Sequence, residues 1–174
     1  MIDLIHAVTE SNKIEQVPTF APEWFAHSVA ADLICIAADE GQLLHPRVLH
    51  KVLFRVGKLA HEAGEYRTVR VRVGEHIPSG PEDVPYQMNH WWGTTKESLD
   101  LGLTKSNSFF SVSSWDAHAS FEDIHPFVDG NGRVGRLVMW NLNLLRGEEV
   151  EVIEYDKREE YYQRLEDWRK ERKG

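Results

Sequence analysis

The run from Arg133 to Arg146 carries Val134, Leu137, Val138, Met139, Trp140, Leu142, Leu144 and Leu145, with Gly147 placed as a C-terminal cap. Such a helix is apolar nearly all round and has no face to give to solvent, so the remaining chain must surround it. At 174 residues there is material for one domain to do so. Pro22 opens a helical pattern (Trp24, Phe25, Val29, Leu33, Ile34, Ile36) that ends before Gly41. Pro46 opens another through Leu49, Val52, Leu53, Val56, Leu59 and Ala60, predicted to stop near Gly64. Val84 to Trp92 resumes helix, and Ser113 or Ser114 caps a helix carrying Trp115, His118, Phe121 and Ile124 as far as about His125. Lys157 to Lys173 is charged but places Tyr161, Leu165 and Trp168 on one face. Gly93 to Ser113 is polar and carries too few periodic positions to assign.

One segment departs from helix. From Arg67 to Val73 the residues alternate, with Val69, Val71 and Val73 on one face and Arg70 and Arg72 on the other, which predicts a strand ended by Gly74. Ile77 to Pro85 contains three prolines and a glycine, leaving room only for a short hairpin partner. The fold class expected is mainly α, a helical bundle with a small β-hairpin.

Twenty Lys and Arg against 28 Asp and Glu give a formal charge of −8, which repels a phosphate backbone and argues against nucleic acid as a partner. The single cysteine, Cys35, allows neither an internal disulfide nor a cysteine-based zinc site and fits a reducing cytoplasm. Met1 to Glu10 lacks the basic and apolar regions of a signal peptide, and nowhere do about 20 apolar residues run together. The expectation is a cytoplasmic chain with no membrane partner.

Between two apolar helices lies His125-Pro126-Phe127-Val128-Asp129-Gly130-Asn131-Gly132-Arg133-Val134-Gly135-Arg136, polar and rich in glycine where packing has no use for it. Gly130 and Gly132 permit close backbone approach, and the loop feeds a helix whose first N–H groups have no intrahelical partners. The helix dipole and two arginines three residues apart then make an anion site suited to a polyphosphate. Asp129 would repel phosphates unless a magnesium ion lies between them; without metal it would cap the next helix. His125, as a neutral imidazole with an ordinary pKa of about 6.5, is the best general base in the chain. His6, His27, His45, His50, His61, His76 and His90 have no such neighbours and read as structural or exposed, and His118 as a packing residue. Trp91 and Trp92 read as core or subunit-contact residues.

The loop resembles the signature of Fic domains, His-x-Phe-x-Asp/Glu-Gly-Asn-Gly-Arg-x-x-Arg, with every fixed position matched. Weaker similarity runs from about His45 to Arg164, including Gly64-Glu65-Tyr66-Arg67, Ala117-His118 and Tyr161-Tyr162. The resemblance implies one Fic-type domain over residues 1–174 that transfers AMP from ATP to a Ser, Thr or Tyr hydroxyl of a protein target. It implies that His125 deprotonates the hydroxyl and Asp129 holds Mg2+. Gly130, Asn131, Gly132 and Arg133 would hold the phosphates, with Arg136 on the γ-phosphate and Phe127 anchoring the loop at 125–136. The hairpin would be a flap over 66–78 whose Arg67, Val69, Arg70, Val71 and Arg72 dock the target by β-augmentation. A homodimer is a further arrangement the resemblance allows.

Ser11-Asn12-Lys13-Ile14-Glu15-Gln16 resembles the family's inhibitory motif, Ser/Thr-x-x-x-Glu-Gly/Asn, with Gln16 departing from it. Its place within residues 1–20 is that of the N-terminally inhibited class, in which Glu15 would pair with Arg136 and block the γ-phosphate. A solvated surface acid is the plainer reading of Glu15. The rival functions are removal of AMP from a modified target, phosphotransfer at the same site, and a regulatory module that binds nucleotide or partner without turnover.

Overall fold

The computed structural model describes residues 4–19, 21–57, 59–100 and 112–173. Seven α-helices are present among them. They are α1 (Leu4–Ile14), α2 (Pro22–Asp39), α3 (Pro46–Phe54), α4 (Val84–Asp100), α5 (Ser114–Ile124), α6 (Asn131–Leu145) and α7 (Arg158–Lys173). The apolar run is the central helix: α6 packs against α1, α2, α3 and α5, and its residues from Val134 to Leu142 are all buried. Its indole and amide groups find partners, since Trp140 Nε1 donates to the Glu151 carbonyl and Asn141 Oδ1 accepts from the Leu44 N–H.

Helix ends follow local chemistry. Ser113 Oγ accepts the Asp116 N–H at 2.9 Å and donates to Asp116 Oδ2, the two-way cap that starts α5. Asp116 Oδ1 also accepts from Trp168 Nε1, fastening α7 to α5. Tyr161 and Leu165 of the α7 stripe are buried as the spacing predicts. Helix α6 closes with Gly147 at φ 64.

At Gly135, α5 and α6 approach so closely that a Cβ would lie 2.7 Å from His118 Nδ1 and 3.0 Å from Glu122 Oε1, both on buried side chains. Gly135→Ala is therefore expected to destabilise the fold by about 1–3 kcal/mol, read as a lowered Tm in thermal unfolding.

Two expectations need correction, and one open stretch is filled in part. Helix α3 stops at Phe54 rather than near Gly64, because the chain bends at Arg55–Gly57 and only a 3₁₀ turn, Ala60–Glu62, follows. The unassigned stretch splits: α4 continues through Gly93 to Asp100, while 101–111 lies outside the described residues. No strand is present among the described residues, so the β-hairpin over 66–78 is replaced by irregular arms closed by one antiparallel bridge, Val73 to His76, around a Gly74–Glu75 turn. The reason is visible in Arg67. Its guanidinium lies between the arms and takes the carbonyls of Val69 and Ser79, groups a ladder would have used. Val69, with its side chain half exposed, gains no buried face by pairing.

Candidate active site

A cavity of about 730 Å³ opens where the end of α5, the 125–136 loop and the start of α6 meet α7, the Val73–His76 turn and Glu15. His125 is the C-cap of α5, in the left-handed region at φ 50, and its ring lines the cavity. Burial, with the nearby Arg67 cation, lowers the imidazole to about 4, so it is neutral at pH 7 and ready to accept a proton. Sequence reasoning set it near its ordinary value; the missing signal was the depth of the loop.

The loop is braced from three sides. Phe127 is fully buried and stacked on His50 with ring centroids 3.9 Å apart. His50 Nδ1 accepts the Gly64 N–H, which leaves Nε2 to donate to the Asp129 carbonyl. Asn131 Oδ1 accepts the Phe127 N–H and its Nδ2 donates to the Phe127 carbonyl, both at 2.9 Å. The Asn131 amide thus holds the loop with one donor and one acceptor, while the residue still lines the cavity. Gly130, at φ 76, lies so near Phe54 that a Cβ would strike the ring.

The two arginines are both buried and differently occupied. Arg133 has Nε and Nη1 without hydrogen-bond partners among the described residues, and its Nη2 is 3.7 Å from Asp129 Oδ1. A buried cation with unused donors is costly and calls for an anion. Arg136, 1 % exposed, is fully engaged: Nε donates to Ser11 Oγ at 2.8 Å, Nη1 to the Tyr161 hydroxyl and Nη2 to Glu15 Oε1 at 2.6 Å. Burial alone would lower its basicity, but the Glu15 carboxylate raises it instead.

Glu15 also lies on Gly132, where any Cβ would collide with its carboxylate. An internal anion therefore sits at the N-terminus of α6 and on Arg136 together. Helix α1 delivers it by burying polar residues: Asn12 Oδ1 meets His27 Nδ1 at 2.9 Å, Ser11 meets Arg136, and Glu10 Oε2 accepts the Tyr155 N–H. Gln16 follows at φ 53, a conformation that costs a residue with a Cβ about 1–2 kcal/mol. A glycine or asparagine would meet that backbone demand with less strain. Gln16→Gly is expected to raise stability by about 1 kcal/mol, read as a higher Tm.

Asp129 stands at the cavity rim with its side chain 54 % exposed, accepting the Gly130 N–H. No cluster of three or more metal-ligating side chains exists among the described residues. One rim carboxylate suits a magnesium ion that takes its other ligands from phosphates and water.

Sequence reasoning passed over Glu122, a buried acid lining the same cavity with Oε2 3.8 Å from His125 Nδ1. Burial, reinforced by Glu15, pushes its carboxyl up to about 7. Of the expected docking residues, Val69, Arg70 and Arg72 are exposed and Val71 is half-buried, but Arg67 is buried beneath the loop and unavailable to a target. His118, bonded through Nε2 to the Tyr161 hydroxyl, and Trp91, bonded to the Ala117 carbonyl, are packing residues.

The profile of the Fic/DOC family matches residues 42–142. Protein adenylyltransferase Fic of Aedes aegypti is 37% identical over 106 residues, 60% of this chain and 20% of the relative. The protein of the same name from Drosophila mojavensis is 40% identical over 105 residues, 58% of this chain and 19% of the relative. The chain thus spans about a fifth of the length of these curated relatives. A crystal structure of a Fic domain containing signaling protein from Bacteroides thetaiotaomicron superposes with a TM-score of 0.78 at 23% identity, covering 93% of this chain and 70% of that one. A Fic family protein from Desulfovibrio desulfuricans gives 0.67 at 25% identity, covering 96% and 57%.

Proposed function

The chain belongs to the Fic/DOC family, and from that membership we propose that it transfers AMP from ATP to a Ser, Thr or Tyr hydroxyl of a protein target and is restrained by Glu15. The observation that carries the reading is the pairing, across one cavity, of a neutral buried imidazole with an anion site already filled from within.

In this reading ATP lays its phosphates along the α6 N-terminus, where the free N–H groups, Arg133 and, once Glu15 withdraws, Arg136 receive them. Asp129 would hold Mg2+, which supplies charge neutralisation between the phosphates when bound. His125 accepts the proton as the target hydroxyl oxygen forms its bond to the α-phosphorus and pyrophosphate leaves. The chain forms no covalent bond itself, so its contribution is positioning and charge stabilisation. The Val69–Arg72 arm has no ladder partner, leaving main-chain groups other than the Val69 carbonyl, which Arg67 takes, for an extended target segment. A cytoplasmic setting, consistent with the single Cys35, and a homodimer belong to the same proposal. No helix among the described residues is long and apolar enough to cross a membrane.

Intact-mass spectrometry of the Glu15→Gly chain, and of lysate proteins incubated with it and ATP, tests the reading. A gain of one AMP that disappears on chelating magnesium is expected; a gain of phosphate alone, or no gain, refutes it. Removal of AMP is the second reading, favoured by Glu15 lining the cavity that holds His125, where its carboxylate can position water. It requires Glu15→Gly to lose release of AMP from a modified protein.

A further inference from the structure

Arg67 belongs to the segment expected to meet a target, yet it is 2 % exposed. Its N–H donates to the Pro126 carbonyl at 2.9 Å, Nε to the His125 carbonyl at 2.8 Å and Nη2 to the Ile124 carbonyl at 3.4 Å. These three successive carbonyls lie at the C-terminus of α5, where a helix leaves acceptors unpaired and its dipole favours a cation. The same guanidinium reaches the other way. Nη1 donates to the Val69 carbonyl at 3.1 Å and Nη2 to the Ser79 carbonyl at 2.7 Å, one on each arm of the segment that closes at Val73 and His76.

The His125 backbone lies at φ 50, a conformation that costs a residue with a Cβ about 1–2 kcal/mol and persists only where its surroundings impose it. Arg67 supplies that imposition at the residue itself and at both its neighbours.

We propose that Arg67 is a positioning residue whose guanidinium joins the two flap arms to the strained cap carrying His125, so that the target-binding segment and the proton acceptor move as one unit. The proposal rests on His125 being the general base and the 69–72 arm the docking edge. A target segment laid along that arm is thereby registered against the imidazole through one side chain, without the rigidity of a sheet. The planar fork is essential, because a lysine ammonium cannot span acceptors on three pieces of backbone.

The His125 ring is faced by Glu122 of its own helix, Arg67 and His76 of the flap, and Arg169 of α7. Its titration, followed by NMR of the ring-labelled full chain, reports its placement without requiring catalysis. Arg67→Lys, which keeps the cation, is expected to raise the His125 pKa by about one unit because the ring loses its buried seat, and Arg67→Gln, which also removes the cation, to raise it further. A purely structural role would lower the Tm and leave the titration of the folded Arg67→Lys variant unmoved; that result, which would mean that charge alone suffices, overturns the proposal.

Should the variants not fold, the wild-type chain still decides. The Arg67 Nε–H should give a slowly exchanging resonance at neutral pH with cross-relaxation to the His125 backbone, and its absence refutes the contact. These readouts stand apart from AMP transfer: an inactive chain with the expected titration would refute the reaction and keep the coupling.

Discussion

Glu15→Gly is expected to raise AMP transfer by on the order of ten- to a hundredfold, the range of a coupling of a few kcal/mol between two sites. The wild-type carboxylate takes Nη2 of Arg136 at 2.6 Å and covers Gly132, the two features that would seat a terminal phosphate. It is 28 % exposed while its partner is buried, so the anion can leave into solvent and the cation cannot follow. Removal leaves Arg136 bonded to Ser11 and Tyr161 and short of an anion. ATP would satisfy that need, and added ATP should stabilise the variant more than the wild type in thermal unfolding. Unchanged incorporation of labelled AMP in Glu15→Gly would dismiss the restraint and leave Glu15 a structural acid.

His125→Asn should lose about 10²- to 10⁴-fold in transfer, the usual contribution of a positioned general base, with the fold retained. Asparagine tolerates the φ 50 backbone that alanine would strain, so loss of activity is separable from loss of the cap. The low imidazole pKa makes the base neutral throughout the neutral range, and protonation should disable it only as the pH falls toward about 4. Glu122 adds a second titration: its carboxyl, pushed up to about 7, changes charge around neutrality beside the same ring. In a Glu122→Gln variant the pH dependence near 7 should flatten while the acid-side loss remains. Persistence of the neutral-range change would assign it to another group.

The loop was legible because every feature is local in sequence: the glycines, the two arginines and the apolar helix that follows. The centrality of α6 was legible for the same reason, since an all-round apolar pattern admits no surface position. Helix α1 was not assigned from periodicity because it buries Glu10, Ser11 and Asn12, polar residues that are inside only through partners distant in sequence. The motif at Ser11 and Glu15 marked the contact with Arg136, while nothing local revealed the helix that carries it.

The flap misled because alternation reports which residues share a face, not whether a partner strand exists. Arg67 was placed among the target-docking residues by the resemblance, and only the tertiary fold shows the carbonyls that bury it. Glu122 escaped notice for a related reason. It is one of many acids in a chain of net charge −8, and its distinction is the cavity it faces rather than any pattern around it.

The central claim is that this cavity moves the α-phosphoryl end of ATP. The most direct measurement incubates Glu15→Gly and the double variant Glu15→Gly, His125→Asn with magnesium and ATP labelled at either the α- or the γ-phosphate. The account predicts protein-bound label from the α position alone, nearly abolished in the double variant, with the γ label leaving as pyrophosphate. Protein-bound label from the γ position, or α label indifferent to His125, would contradict it.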